Sequence, residues 1–243
     1  MTGTMTGAGV SVEADEIVLQ LRSLGREEKA RGLRRYFKTG PGEYGEGDVF
    51  VGVMVPTLRR LAKEHEALPL PDVLSLLHSP VHEARMLSLL ILCRQYSRAG
   101  APLGEEICRA YLENTRFINN WDLVDASCRE ILGAHLEKRR RQRLYALAAS
   151  PLVWERRMAI IATGHFIGLG DFSDTLEIAR LLLSDREDLI HKAVGWMLRE
   201  VGKRDRAVEE GFLQTHYKRM QRTVLRYAIE RFPEDLRKEY LKR

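Results

Sequence analysis

Two stretches of this chain open alike. "SPVHEARM" begins at Ser79 and "SPLVWERRM" at Ser150, and each leads into apolar residues at helical spacing behind a Ser that can cap and a Pro that suits a first turn. Aligned on their Arg-Met pairs, they set Arg85 over Arg157, 72 residues apart. Half that interval, 36 residues, leads from Arg85 to Trp121, and 35 residues beyond Arg157 stands Lys192. A period near 36 residues with two helices per unit marks an all-α chain, an α-solenoid of HEAT-like repeats. On this register Trp121, Arg157 and Lys192 share a rung on three successive repeats, with Asp125 and Trp196 one turn further along. They are expected to line one concave, basic face.

Elsewhere strand signals are nearly absent, and "VPTLRRLAKEHE" again starts a helix after a loop, with Pro56 near its first turn. Residues 1–12 begin with the Gly/Thr-rich "MTGTMTGAGV" and are expected to fray, leaving 13–243 as a single domain. At 44% apolar and 30% charged the chain has enough to bury a core, which excludes a disordered one. The longest apolar run, "MLSLLILC", is far short of the roughly 20 residues a membrane span needs. Cys93, Cys108 and Cys128 are odd in number and lack C-x-x-C spacing, arguing against disulfides and thiolate metal sites. The expectation is a cytoplasmic monomer, nucleoid-associated if bacterial, with no membrane partner.

Other chemistries leave no trace. There is no Walker A loop, G-x-S-x-G or H-E-x-x-H, and the seven His show no metal-ligand spacing, so no cofactor or metal is expected. The glycine-rich "KTGPGEYGEGD" (Lys38 to Asp48) lacks the Lys-Ser/Thr of a phosphate loop and reads as a mobile loop. Charge is unevenly spread: from Lys203 to Arg243 twelve Lys/Arg face seven Asp/Glu, and "KRRRQR" from Lys138 puts five cations into six residues. Such clustering suits a polyanion or, more plainly, a solvated helix face.

The helix from Asp188 to Lys203 separates two stripes. Ile190, Val194, Met197, Leu198 and Val201 form a core face, while Lys192, Trp196, Arg199 and Lys203 recur on another. An aromatic ring within a basic stripe is the composition of a nucleic-acid groove, so Lys192, Arg199 and Lys203 are candidate DNA contacts. Arg157 interrupts an apolar helix and needs a carboxylate or a cleft; Asp125 and Asp122 are available. Asp122 reads as a first-turn acid favouring the helix dipole. Asp125 lies too deep in "NNWDLVDAS" to cap, one turn from Trp121 on the same helix face.

Together "NNWDLVD", "VWERRMAI", "HKAVGWMLRE" and "FVGVMVPTLRRLAKE" resemble, in order and spacing, the AlkD-like DNA alkylation repair proteins across roughly Tyr36 to Arg204. The resemblance implies HEAT-like solenoids acting as glycosylases on N3- and N7-alkylated purines in duplex DNA, within base-excision repair and without flipping the base. It implies catalytic roles for Asp125, Trp121, Trp196 and Arg157, and DNA contacts that include Arg59 and Tyr36. Where the family pattern reads Trp-Trp-Asp this chain has Asn120-Trp121-Asp122, and the loop before the Pro56–Arg59 helix is longer than the family's. The alternative is a non-catalytic repeat module holding nucleic acid or an acidic protein. Asp125 discriminates the two, because a pure phosphate binder has no use for a carboxylate among its cations.

Overall fold

His82 through Leu92 are buried without interruption, which makes this stretch the axis of its part of the molecule. The computed structural model describes residues 12–242, and apart from a single parallel bridge between Val49 and Val81 the regular structure among them is helical. Of residues 1–12 only Val12 is described, as the first residue of a helix; the rest lie outside the described residues. Contacts gather the chain into two compact units. One runs through Gly100 and takes in Arg116–Ile118; the other comprises Ala101–Thr115 and Asn119–Arg243.

The first unit holds α1 (Val12–Leu24), α2 (Glu27–Tyr36), α3 (Val55–Glu64), α4 (Leu70–Leu77) and α5 (His82–Arg98). A helix apolar on all sides must be packed on several, and α1, α3 and α4 all lie against α5. The polar groups buried with it have partners. Glu83 accepts the backbone N–H groups of Val51 (3.1 Å), Gly52 (2.7 Å) and Val53 (3.3 Å). Asp48 accepts from His82 Nδ1 at 2.9 Å and Arg85 Nη2 at 2.5 Å.

The Lys38–Asp48 stretch therefore does not end as a loose loop. Burial alone would raise the Asp48 carboxyl, but the His82 hydrogen bond and the Arg85 charge outweigh it and hold the group below its usual value. Phe50 follows onto the His82 ring, stacked with centroids 4.4 Å apart. Gly52 adopts φ +89°, and a Cβ there would fall 2.2 Å from the Arg26 carbonyl oxygen, so the approach admits only glycine. Glycine content hinted at mobility, while the side chains that pin the segment lie some 30 residues away in α5.

The second unit contains α6 (Ala101–Glu113), α7 (Trp121–Cys128), α8 (Gln142–Ala148), α9 (Val153–Ala162), α10 (Gly164–Gly168), α11 (Ser173–Leu182), α12 (Asp188–Arg204), α13 (Arg206–His216), α14 (Arg222–Ala228) and α15 (Glu234–Leu241). In it α7, α9, α12 and α14 pack side by side in that order, with α9 backed by α8 and α12 by α11 and α13. This is an all-α helical-repeat arrangement with two helices per unit.

The repeat is visible in a recurring turn rather than in helix caps. Ser79 and Ser150 do not cap α5 and α9; each lies three residues ahead, and its Oγ accepts the N–H of Val81 or Leu152 at 3.1 Å in a serine turn. Asp185 does the same for Glu187 N–H at 2.9 Å. Six residues on, Arg85, Arg156 and His191 each reach back to the carbonyl of Ser79, Ser150 and Asp185 (3.1, 3.0 and 2.7 Å). The matching intervals are 71 and 35 residues, so Arg85 corresponds to Arg156, and the alignment on Arg-Met pairs is one residue out of register. The extra Arg of "ERRM" caused the slip.

Glu209 of α13 is 2% exposed and fills the space left by Gly202 of α12, where a Cβ would sit 1.7 Å from its Oε2. Its Oε1 has no partner, and burial pushes the carboxyl up to about 8. A folded-state value above the unfolded one means stability complete below the unfolded value and lost as pH rises through about 8. Glu209→Gln is expected to melt level with wild type near about pH 5 and higher by at least about 2 °C near about pH 9. Equal melting across that range would show Glu209 ionised in the fold.

Candidate active site

The cleft of the second unit is assembled around α7. Asn120 Oδ1 accepts the Trp121 N–H at 2.8 Å and so fixes where α7 begins. Leu123, Val124, Ser127 and Cys128 form its buried face, with Ser127 satisfied by the Leu123 carbonyl (2.6 Å) and Tyr111 (3.0 Å). That geometry turns Trp121 and Asp125 to the other side, one turn apart. Asp122, in the first turn, occupies the dipole-favouring position expected of it.

Asp125 meets Arg157 as a two-pronged pair. Nε donates to Oδ1 and Nη2 to Oδ2, both at 2.8 Å, while Nη1 donates to the Leu189 carbonyl in the first turn of α12 at 2.6 Å. The Arg157 side chain is 6% exposed and that of Asp125 16%. Burial raises the Asp125 carboxyl above the ordinary aspartate value; the Arg157 hydrogen bonds and charge oppose this without cancelling it, and Asp122 adds repulsion. Each carboxylate oxygen has a second lone-pair direction that the fork does not use.

Asp125 also lines a cleft of about 480 Å³ shared with Ile161, Ile167, Trp196, Met197, Arg199, Glu200 and Lys203. Apart from the Trp196 indole its polar lining is wholly charged, with no amide or hydroxyl. Trp196 is half-buried, its Nε1 donating to Glu200 Oε1 at 3.0 Å. Among the described residues no group of three His, Cys, Asp or Glu gathers closely enough to hold a metal ion.

The structure thus brings together Asp125, Arg157, Trp196, Arg199 and Lys203. It does not put Trp121, Arg157 and Lys192 on one rung: Arg157 and Lys192 are each the fifth residue of their helices, whereas Trp121 is the first of α7. The turn at Asn119 and Asn120 starts α7 late, which shifts Trp121 along the helix axis. Trp121, though part-exposed, stands outside the cleft lining, as does Lys192.

The basic stripe on α12 is also less bare than its sequence implied. Lys192 pairs with Asp188 (2.8 Å), Lys203 with Glu200 (2.6 Å) and Arg199 with Glu230. Such exposed pairs contribute about 0–1 kcal/mol, little enough for a phosphate to displace. The acids were legible at i±3 and i±4 spacing, Glu230 excepted. In "KRRRQR", Arg141 is spent internally on Asp171 and Asp174, both at 2.6 Å, and on the Phe166 ring; Lys138, Arg140 and Arg143 are exposed. Tyr36 (64% exposed) and Arg59 are exposed in the first unit, at the end of α2 and on α3.

Fold and cleft define an all-α helical-repeat protein whose candidate site is a cleft lined by an arginine-held carboxylate and an indole. The family model described as "DNA alkylation repair enzyme" matches residues 17–232, and the chain belongs to that family. Its work is therefore in the repair of alkylated DNA. A solved structure titled "Predicted DNA alkylation repair enzyme from Enterococcus faecalis" is similar at 17% identity, with a TM-score of 0.66 over 86% of this chain and 97% of that one. No match was found among curated proteins.

Removing Arg157 leaves Asp125 buried without its counter-charge. Arg157→Ala is expected to lose about 3–5 kcal/mol of stability. Thermal or urea unfolding measures it, and a loss below about 1 kcal/mol would mean that solvent, not Arg157, compensates the carboxylate.

Proposed function

We propose that the protein is a monofunctional DNA glycosylase that releases cationic N3- and N7-alkylated purines from duplex DNA. The observation that carries this reading is Asp125, gripped by both prongs of Arg157 and lining the cleft that holds Trp196. Alkylation at N3 or N7 makes the purine a cation. When the C1′–N9 bond breaks, its electron pair goes to N9, the base leaves neutral, and positive charge builds on the sugar. A fixed carboxylate stabilises that charge and orients the water whose oxygen bonds to C1′. The proton shed by that water passes to Asp125 or solvent. The aromatic face of Trp196 adds about 0.5–2 kcal/mol through cation–π attraction.

A lining whose polar side chains, the Trp196 indole apart, are all charged supplies no set of side-chain amides or hydroxyls to read a base edge, as a flipped base requires. Selectivity then comes from the charge of the leaving group, and the base need not leave the stack. Glu130 and Glu200 in the lining also argue against a pure phosphate track, which they would repel.

Asp125→Asn is the direct test. Single-turnover release of 7-methylguanine is expected to fall by roughly 10²-fold or more, while affinity for undamaged duplex holds or tightens because a negative charge is gone. Wild-type excision should decline on the acid side through a value above the ordinary aspartate range, since burial raises Asp125 and protonation removes the charge the reaction needs. Near-wild-type excision by the folded variant would exclude a catalytic Asp125.

A further inference from the structure

Past Asp125 the helix changes its winding. Residues Arg129–Gly133 form a π turn, in which the Ala134 N–H reaches the Arg129 carbonyl, five residues back. The extra residue in such a turn re-aims the side chains around it, and π turns recur at functional sites. Gly133 permits this one: a Cβ there would stand 2.5 Å from the Ala162 carbonyl oxygen and 2.8 Å from His165 Cβ. The close approach presses the turn onto the junction of α9 and α10.

Arg129 opens the π turn, one helical turn beyond Asp125 and two beyond Trp121. Its side chain runs over two glycines of α10. Cδ lies 3.5 Å from where a Gly164 Cβ would be, and Nη2 lies 3.5 Å from where a Gly168 Cβ would be. The stem is thus laid along a shallow track, and Arg129, Gly164 and Gly168 all line the cleft with Asp125 and Trp196. Arg157, Arg199 and Lys203 are each matched by a carboxylate. The Arg129 side chain makes no hydrogen bond or ion pair among the described residues, although five N–H donors point from its guanidinium.

We infer that Arg129 is a positioning residue that holds a phosphodiester of the damaged strand in the cleft. This rests on the glycosylase reading for the sugar's place at Asp125. A deoxyribose seated there carries its own phosphates on either side, and the guanidinium of a residue rooted one helical turn from Asp125, about 5.4 Å along the axis, suits one of them. Its fork matches two phosphate oxygens, and as the bound strand displaces water the unmatched donors require an anion. The carboxylate supplies the chemistry and Arg129 keeps the backbone where that carboxylate can act, close enough to Asp125 to offset its repulsion of the strand.

The test measures binding to a duplex with one tetrahydrofuran abasic residue, across a salt series, for wild type, Arg129→Gln and Arg129→Lys. Arg129→Gln is expected to bind roughly tenfold more weakly and to lose about one unit of salt slope, with melting unchanged because the side chain is exposed and unpaired. Arg129→Lys should recover the slope but only part of the affinity. Replacing single phosphates by methylphosphonate should reveal one position, next to the abasic residue, that weakens wild type but not Arg129→Gln. Wild-type affinity and slope in Arg129→Gln would overturn the inference, as would lower melting or a loss of affinity without a change of slope. If wild type releases no alkylated base yet shows this slope pattern, the reaction fails and the contact stands. If base is released and Arg129→Gln keeps the full slope, the contact fails and the reaction stands.

Discussion

One guanidinium ties three successive inner helices of the second unit together. Arg157 rises from α9, closes both oxygens of Asp125 on α7, and ends on the Leu189 carbonyl in the first turn of α12. An apolar pair of the same volume would serve stability as well or better, because the attraction of a buried ion pair barely repays its desolvation. What the pair supplies instead is a carboxylate with one fixed orientation at the edge of a cleft. The neighbouring contacts depend on that placement. Cys128 Sγ donates to the Met158 carbonyl at 3.3 Å, holding α7 to α9 in the register at which the fork meets its acid.

Each unit uses the same local means to seat its inner helix. A Ser or Asp accepts the N–H two residues on, and the side chain six residues on returns to its carbonyl, so the chain enters α5, α9 and α12 along equivalent paths. The acids that receive the arginines differ: Asp48 receives Arg85 in the first unit, whereas Asp185 receives Arg156 at 2.6 Å in the second. A shared backbone path with exchangeable side chains lets one helix in the row carry Arg157, another carry Trp196, and neither disturb the packing beneath.

Helix identity and the core stripe of α12 were legible because 3.6-residue periodicity is local and strong: Ile190, Val194, Met197, Leu198 and Val201 are all buried. The period was legible too, but its register was not, since "ERRM" offers two arginines and only the backbone carbonyls at Ser150 and Pro151 distinguish them. Asp125 and Arg157 were found as candidates because a charge inside an apolar helix needs a partner. Arg129 escaped notice: nothing in "DASCRE" announces a π turn, and its glycine track lies in α10, more than thirty residues later. The anchoring of Asp48 escaped for the same reason, its partners being in α5. Pairs distant in sequence decide these positions, and no window of residues contains both members.

The chemistry proposed for the cleft asks little of the protein beyond placement. A cationic purine is already a good leaving group, so the fixed charge at Asp125 contributes where the sugar's charge develops, and each about 1.4 kcal/mol gained there is tenfold in rate. A neutral base gains nothing comparable from a cleft without base-reading groups. The most direct measurement incubates the wild-type protein with three duplexes, one methylated, one bearing uracil and one bearing hypoxanthine, and follows free base over time. The account predicts release of 7-methylguanine and 3-methyladenine with uracil and hypoxanthine left in place. Methylated base at the no-enzyme level, or uracil released at a comparable rate, would contradict it.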